Sequence, residues 1–209
     1  MTYRACLIDV FDTVLSVDFA QHNAGLANHA GVDPAAFTAA LVDGWLHLIM
    51  DGRTSIEEAL TGILHDLGSP IAGDALEGLV RADERLLHDL HVLHDDAVPF
   101  LETLRAADIR TAFVSNCSSN TRPLLTALGL ADLVDDLVLS CEVGAAKPEP
   151  AIYRVALDRL GVSAAESVFV DDQRAFCDGA SALGIEAVLI DRFTGDGDIA
   201  ALSELAARF

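Results

Sequence analysis

Five short runs of mainly apolar residues, each followed directly by a polar residue, constrain the fold of this 209-residue chain most strongly. The runs lie at 5–8, 111–114, 137–139, 168–170 and 187–190. Their apolar residues are continuous rather than alternating, which is typical of strands covered on both faces in a parallel sheet. Helical patterns lie between the runs, so the order of elements predicts an α/β fold with a doubly wound, Rossmann-like parallel sheet.

The helices of this core are predicted at about 99–107, 121–128, 150–160, 174–183 and 198–207. Pro99 and Pro150 suit a first helical turn, where the missing N–H is not needed. Gly161 and Gly184 suit the position just after a helix end. These signals separate each helix from the strand that follows it.

About 100 residues lie between the first and second strands, far more than one crossover helix needs. We interpret 16–95 as an inserted all-helical domain, because apolar residues recur there at helical spacing. The segments 1–15 and 96–209 then form one α/β core domain.

Start signals divide the insert into several helices. Asp33 followed by Pro34 marks one start, and Trp45 is expected further along the same helix. Thr54 and Glu57 are predicted to form a capping box at the start of the next helix.

The chain is strongly acidic, with a formal net charge of -20 and a pI of about 4.4. This charge argues against binding to nucleic acid or to an anionic membrane surface, since both need basic patches. An anionic small-molecule substrate would need a local positive site, supplied by a lysine, a metal ion or a helix N-terminus.

Cysteine usage suggests reduced thiols and a cytoplasmic protein, because no CxxC pair occurs. The cysteines are Cys6, Cys117, Cys141 and Cys177. We expect no signal peptide and no membrane span. Six histidines of the insert are expected to face solvent, since their spacing matches no metal motif. They are His22, His29, His65, His88, His91 and His94. The sequence leaves the oligomeric state open.

Polar side chains that can bind a ligand or take part in catalysis lie at or just after the ends of several of these strands. They are Asp9, Ser115, Asn116, Lys147, Asp171 and Asp172. In open α/β sheets, ligands bind at the carboxyl ends of the strands, so we expect these groups to meet in one site.

Lys147 is the only lysine in the chain, whereas twelve arginines supply every other permanent side-chain cation. A lysine ammonium is a compact point charge, and a guanidinium is a broad planar fork. This composition indicates a site where a carboxylate and an anionic substrate are held together in little space.

With these motifs the chain resembles the haloacid dehalogenase superfamily. The matching motifs are Asp9-Val10-Phe11-Asp12-Thr13, Ser115-Asn116, Lys147-Pro148-Glu149-Pro150 with Tyr153, and Val170-Asp171-Asp172. The resemblance covers the whole core, and the inserted helices match the family's cap domain, which closes over the substrate.

The resemblance implies a hydrolase acting through a covalent intermediate on Asp9. Lys147 would neutralise charge between Asp9 and the substrate. Asp172, with or without Asp171, would hold Mg²⁺ together with Asp9 and the Phe11 carbonyl, which are the hard oxygen ligands that Mg²⁺ prefers. The implied substrate is a small phosphate ester.

The same resemblance assigns the substrate contacts. Ser115 would hold the transferring group, with Asn116 and Thr13 beside it. Phe11 completes the contacts from the core. The residues before the Asp51-Gly52 turn of the insert are further candidates for substrate contact, namely Trp45, His47, Met50 and Arg53.

Phe11 departs from the family pattern for phosphatases, which usually carry a second aspartate in that slot to protonate the leaving group and then activate water. Phenylalanine can do neither, and loss of such help typically costs ~10²–10⁴-fold in rate. Phe176 stands where a further acidic or asparagine residue often follows the aspartate pair of the fourth motif.

Two alternatives therefore remain open. A metal-independent dehalogenase of the family tolerates an aromatic residue in the Phe11 slot, because halide leaves without a proton. That enzyme type, however, lacks the Asp171-Asp172 pair and carries a cap arginine, which has no counterpart between Arg4 and Arg53. The second alternative is a binding protein that has kept the pocket and lost turnover.

Overall fold

The computed structural model of the protein describes residues 3–209. Within that range the strands are β1 (Ala5–Ile8), β2 (Leu15–Val17), β3 (His91–Leu93), β4 (Arg110–Ser115), β5 (Asp136–Leu139), β6 (Ser167–Asp171) and β7 (Glu186–Leu189). Five of them form a parallel sheet in the order β5-β4-β1-β6-β7. The predicted α/β fold with a parallel sheet is confirmed.

The central strand β1 is completely buried, as its unbroken apolar sequence predicts. Leu7 pairs with Ala112 on one side and with Phe169 on the other. Because the strands are parallel, the residues that follow β1, β4 and β6 emerge at the same sheet edge. This edge holds the candidate site.

The insert between β2 and β3 contains five α-helices. They are α1 (Phe19–Ala30), α2 (Pro34–Ala40), α3 (Leu46–Met50), α4 (Ile56–Asp66) and α5 (Asp74–Asp89). Leu26, Phe37, Leu60, Ile63 and Leu79 are among the buried residues of a separate hydrophobic cluster that these helices enclose. The insert therefore buries an apolar interior of its own.

Helices cover both faces of the sheet. They are α6 (Ala97–Ala106), α7 (Thr121–Ala127), α8 (Ser140–Val143), α9 (Pro150–Leu160), α10 (Arg174–Ser181) and α11 (Leu202–Ala206). Phe100 of α6, Leu124 of α7 and Leu202 of α11 belong to the cluster on one face. Ile152 of α9 and Ala180 of α10 belong to the cluster on the other face.

The last helix is shorter than the predicted 198–207, because the residues before it extend the sheet edge. Ile190 and Ile199 form a β-bridge, and the Asp198 carboxylate accepts a hydrogen bond from the Leu189 backbone N–H at 2.9 Å. These contacts join 198–199 to the end of β7, and the helix begins only at Leu202.

The sequence predicts an all-helical insert over 16–95, but the structure shows that the insert is not helical at its two ends. Its two ends form the antiparallel pair β2–β3, in which Ser16 pairs with Val92. Strands of three residues are too short to produce a recognisable alternating pattern. The predicted capping box is also displaced by one residue, since Ser55 and Glu58 form it rather than Thr54 and Glu57.

Residues 34–50 form three helical segments rather than one regular helix. The segment Leu41–Trp45 is a π-helix, in which the Leu46 N–H bonds to the Leu41 carbonyl five residues back. The wider turn rotates the following residues relative to a regular helix. This rotation decides which side chains reach the candidate site.

No helix in the described range 3–209 is long and apolar enough to cross a membrane.

Candidate active site

Asp9 follows directly after β1, in the middle of the sheet edge. Its backbone N–H donates to the Val170 carbonyl at 3.0 Å, which continues the pairing of β1 with β6. The chain then turns back sharply, because the Val14 and Leu15 N–H groups both donate to the Val10 carbonyl. The side chain of Asp9 is 5% exposed. The central strand thus presents one nearly buried carboxylate at the floor of the site.

The single lysine bridges two of the predicted carboxylates. Lys147 Nζ lies 2.5 Å from Asp9 Oδ1 and 2.6 Å from Asp171 Oδ2, and the whole residue is 4% exposed. The Phe176 ring lies below the ammonium, at 5.0 Å from its centroid. There is therefore little room for a group broader than an ammonium, which agrees with the use of lysine here.

Asn116 positions this lysine. Its side-chain amide donates to the Lys147 carbonyl at 2.8 Å and accepts from the Lys147 N–H at 2.7 Å. The two bonds tie the end of β4 to the loop that carries Lys147. Sequence analysis assigned Asn116 to the substrate, and its side chain does reach the pocket, but its amide group is used on the Lys147 backbone.

Three carboxylates come together at this edge. One oxygen each of Asp9, Asp171 and Asp172 lie within 4.8 Å of one another. Asp171 is fully buried, and both of its oxygens are engaged, one by Lys147 and the other by the Gln173 N–H at 2.8 Å. Asp9 and Asp172 line the pocket and keep oxygen atoms available to it.

The negative charge of this cluster exceeds its positive charge. Burial raises the pKa of Asp9 to about 7, with Lys147 opposing the shift and Asp171 adding to it. Burial also raises the pKa of Asp172 to about 6, and the neighbouring carboxylates of Asp9 and Asp12 raise it further. One ammonium does not balance these groups, so a divalent cation bound to hard oxygen ligands fits the site.

A pocket of about 530 Å³ opens above this cluster. Its floor includes Asp9, Lys147 and Asp172 from the core. Its opposite wall comes from the insert and includes Phe19, Val42, Leu46, Met50 and Leu87. The pocket therefore has a charged floor and a mainly apolar roof.

Phe11 and Asp12 lie at the pocket beside the floor. The Phe11 ring packs against Phe19 of the insert, with ring centroids 5.8 Å apart. Asp12 adopts φ 58°, a left-handed conformation that aspartate tolerates better than most residues. At position 11, therefore, the pocket is lined by an aromatic ring and not by a carboxyl group.

The two predicted hydroxyl residues are fully buried, and neither of them lines the pocket. Ser115 ends β4, and Thr13 lies in the turn after Asp9. Neither hydroxyl oxygen has a hydrogen-bond partner within the described part of the chain. Buried polar atoms normally have partners, so two unpaired buried hydroxyls are unusual.

Trp45 does not line the pocket. Its ring packs against Gly62, where an added Cβ would lie 1.9 Å from the ring, and its Nε1 donates to Asp66 at 3.4 Å. The π-helical turn instead brings Leu46 and Met50 to the pocket wall. Of the candidate cap residues, His47 and Met50 line the pocket, whereas Trp45 and Arg53 do not. Helical periodicity could not separate them, because a π turn looks like regular helix in the sequence.

Sequence analysis missed a buried contact between the insert and the core. His22 of α1 is buried, not solvent-exposed as expected, and its Nε2 lies 3.0 Å from the Asp83 carboxylate of α5. The same carboxylate accepts a hydrogen bond from the Asn120 side chain of the core. Burial lowers the pKa of His22, but its bonds to Asp83 outweigh this effect and raise it. No sequence signal links residues so far apart.

Lys147→Ala is expected to destabilise the protein by about 3–5 kcal/mol, because Asp9 and Asp171 would remain buried without their cation. Urea unfolding at neutral pH measures this loss. We expect Lys147→Arg to be nearly as damaging, since the planar guanidinium group is too broad for the space that the Lys147 ammonium occupies.

Arg159→Ala is the matched control for the lysine. Arg159 pairs with Asp136 at 3.2 Å, but its side chain is 42% exposed. Such a pair contributes about 1 kcal/mol or less. Equal losses in the alanine variants of Lys147 and Arg159 would show that Lys147 is an ordinary charge.

Comparison with known proteins agrees with this architecture. A family model described as haloacid dehalogenase-like hydrolase matches residues 3–184. A phosphatase of Mycobacterium tuberculosis, MT3486, is 34% identical over 173 residues, which cover 78% of this chain and 77% of the relative. (S)-2-haloacid dehalogenase 1 of a Pseudomonas species is 30% identical over 197 residues, covering 90% and 85%.

Solved structures show the same fold. The crystal structure of a phosphatase of this family from Thermococcus onnurineus superposes with a TM-score of 0.71 at 25% identity. The match covers 99% of this chain and 97% of the other. The similarity therefore extends over both the core and the insert.

Proposed function

The chain belongs to the haloacid dehalogenase-like hydrolase family, and we propose that it is a Mg²⁺-dependent phosphatase. It would cleave a small phosphate ester through an aspartyl intermediate on Asp9. The observation that carries the proposal is the cluster of Asp9, Asp171 and Asp172 around a single lysine. Several similar proteins are also described as phosphatases.

The donor set fits Mg²⁺. Asp9, Asp172 and the Phe11 carbonyl would hold the ion, while Asp171 stays with Lys147. Bound there, Mg²⁺ would supply positive charge to the oxygens of the phosphoryl group during transfer.

Asp9 would act as the nucleophile through Oδ2, since Lys147 holds Oδ1. Oδ2 bonds to phosphorus as the bond between phosphorus and the ester oxygen breaks, and the organic part leaves as an oxyanion. Lys147 orients the attacking carboxylate and offsets its charge beside the anionic substrate. Water then attacks the phosphoryl group, which releases phosphate and restores the Asp9 carboxylate.

Ser115 directly precedes the pocket residue Asn116, and Thr13 directly follows the pocket residue Asp12, so both would assist in holding the phosphoryl group. An unpaired buried hydroxyl can donate to a phosphoryl oxygen at no cost to an existing bond. Asn116 would act mainly by holding the Lys147 loop, and Phe11 would contact the organic part of the substrate.

The Phe11 side chain sets the leaving-group preference. Without an acid in that position, the organic part departs unprotonated, and the transition state is better when the departing oxyanion is stable. We therefore expect aryl or acyl phosphates to react faster than alkyl or sugar phosphates.

The same residue favours a second candidate function, hydrolytic dehalogenation. Halide needs no proton to leave, so a phenylalanine at position 11 is no handicap there. Asp9 would attack the carbon bearing the halogen, and water would then hydrolyse the resulting ester. Three carboxylates at the floor count against this candidate, because they would repel a 2-haloacid in the absence of a metal ion.

Asp172→Ala is expected to remove Mg²⁺ binding, because it deletes the carboxylate that faces both Asp9 and the pocket. Isothermal titration calorimetry with Mg²⁺ measures this directly. Phosphate release from aryl phosphates should fall in the same variant and should require Mg²⁺ in the wild type.

Asp178→Ala is the matched control, since Asp178 is an exposed carboxylate of α10 outside the pocket lining. Its removal should leave Mg²⁺ affinity unchanged. Halide release from 2-haloacids without Mg²⁺, and no phosphate release, would favour the dehalogenase. Neither activity, with ligand binding retained, would indicate a binding protein.

Two broader proposals accompany this one. We infer that 16–95 acts as a cap domain over the core, since its helices supply the roof of the pocket. We also retain the prediction of a cytoplasmic protein, supported by four free cysteines.

A further inference from the structure

We propose that this pocket selects phosphate monoesters whose organic part is apolar and carries no second anionic group. The inference rests on the proposed function for the phosphate end of the substrate. The organic part would lie against the roof supplied by the insert.

The roof offers apolar contact and little charge. Phe19, Val42, Leu46, Met50 and Leu87 present aromatic and aliphatic surface to the cavity. Together with the Phe11 ring, which packs on Phe19, they surround the space directly above the reacting carboxylate. A hydrocarbon group fills such a space favourably, since about 25 cal/mol is gained per Å² of apolar surface removed from water.

Cations are scarce around the cavity. Among its described lining residues, the basic side chains are Lys147 and His47. Lys147 already contacts two carboxylates, and the roof adds a further carboxylate, Asp51. No arginine lines the described pocket, so a second carboxylate or phosphate on the substrate would lose water without gaining a strong partner.

Exposed apolar side chains collect at the pocket. Phe19 is 42% exposed and Val42 is 54% exposed, and these are two of the four large apolar side chains exposed within residues 3–209. Contiguous exposed apolar surface is typical of ligand-binding grooves and interaction sites. A substrate that covers Phe19 and Val42 would bury this surface.

A second, smaller cavity extends the apolar space into the insert. It has a volume of about 70 Å³ and shares Phe19, Leu46, Met50 and Leu87 with the main pocket. It continues toward Phe37 and other core residues of the insert. The polar side chains His22 and Asp83 in its wall are paired with each other. A linear or aryl-alkyl group that passes between these shared side chains would enter the second cavity.

Binding of phosphonates, which are not hydrolysed, tests this inference independently of turnover. The probes are benzylphosphonates carrying para-methyl, para-ethyl or para-propyl groups, titrated into the wild-type protein with Mg²⁺ by calorimetry. Affinity should rise about fourfold for each added methylene, which corresponds to about 0.8 kcal/mol per buried CH₂. Two further benzylphosphonates test the effect of charge, one with a para-carboxy group and one with a neutral para-carbamoyl group of similar shape. The para-carboxy probe should bind more weakly than the para-carbamoyl probe.

Val42→Arg tests the missing cation. Val42 is exposed at the pocket, so an arginine there can be accommodated, and its guanidinium would face a carboxylate on the probe. The variant should improve binding of the para-carboxy probe by about two- to fivefold, which is typical of an exposed ion pair. Val42→Gln is the matched control of similar length without charge, and it should give no such gain.

The outcomes separate this inference from the proposed function. A flat or falling affinity along the alkyl series, stronger binding of the para-carboxy probe to the wild type, or no binding of any phosphonate would overturn the inference. A rising series in a protein that releases no phosphate from any ester would uphold the pocket preference and reject the phosphatase. Phosphate release combined with a flat affinity series would uphold the phosphatase and reject the pocket preference.

Discussion

Asp9→Asn is expected to abolish hydrolysis while leaving the fold intact. The amide has nearly the same shape as the carboxylate, but it is not a nucleophile and cannot form the acyl phosphate. Asp9 is also the carboxylate at the end of the central strand, where Lys147 holds one of its oxygens at 2.5 Å. Phosphate release from an aryl phosphate measures the loss, and circular dichroism with urea unfolding checks the fold.

Asp12→Asn is the matched control for the nucleophile. It removes a carboxylate from the same pocket, three residues further on, at a left-handed position where asparagine is well tolerated. This variant should keep most of its turnover. Activity that survives in Asp9→Asn, after mass spectrometry has excluded deamidation back to aspartate, would show that another group attacks the substrate.

Phe11→Asp is expected to raise turnover of alkyl phosphates by ~10²–10⁴-fold, the range typical of general acid–base catalysis. In the wild type, by contrast, single-turnover rates should depend steeply on the pKa of the leaving group. Water would also lack a base, so the phosphorylated protein should accumulate and be visible by intact-mass measurement. The substitution should flatten the leaving-group dependence and shorten the life of the intermediate.

Phe11→Asn separates acid catalysis from simple enlargement of the pocket. Asparagine creates the same space and also ends the contact with Phe19, but it carries no titratable proton. Only the aspartate variant should gain activity. A flat leaving-group series in the wild type would mean that another group supplies the proton, and Asp12 in the pocket lining would be the first to test.

The core was predictable because its signals are strong and local. A strand buried on both faces must be apolar throughout, and Ala5–Ile8 meets this condition over its whole length. A parallel sheet then brings the residues after each strand to one edge, so Asp9 and Asp171 could be expected to meet there. The strand pair β2–β3 escaped prediction because three residues carry no pattern.

The finer features of the site depend on long-range geometry. The sequence singled out Lys147 by its uniqueness, yet only the structure shows that it bridges Asp9 and Asp171 and that Asn116 holds its backbone. The placement of Trp45 away from the pocket follows from a π-helical turn that has no sequence signature. Helical periodicity predicts which face of a helix is apolar. It does not predict whether that face packs into the interior of the insert or lines the pocket.

The β2–β3 pair also fixes where the chain leaves the core and where it returns. Backbone hydrogen bonds hold Leu15 opposite Leu93, so more than seventy residues of insert begin and end at neighbouring points. The entropy cost of closing a long loop grows only slowly with the length of the loop. Here the two-stranded ribbon formed by β2 and β3 closes the loop, and the packing of the insert is not needed for closure. The core can therefore accept inserts of different length or packing at this ribbon without a change in its strand register. The side chains that the insert contributes to the pocket can, for this reason, change without a change in the core groups around Asp9.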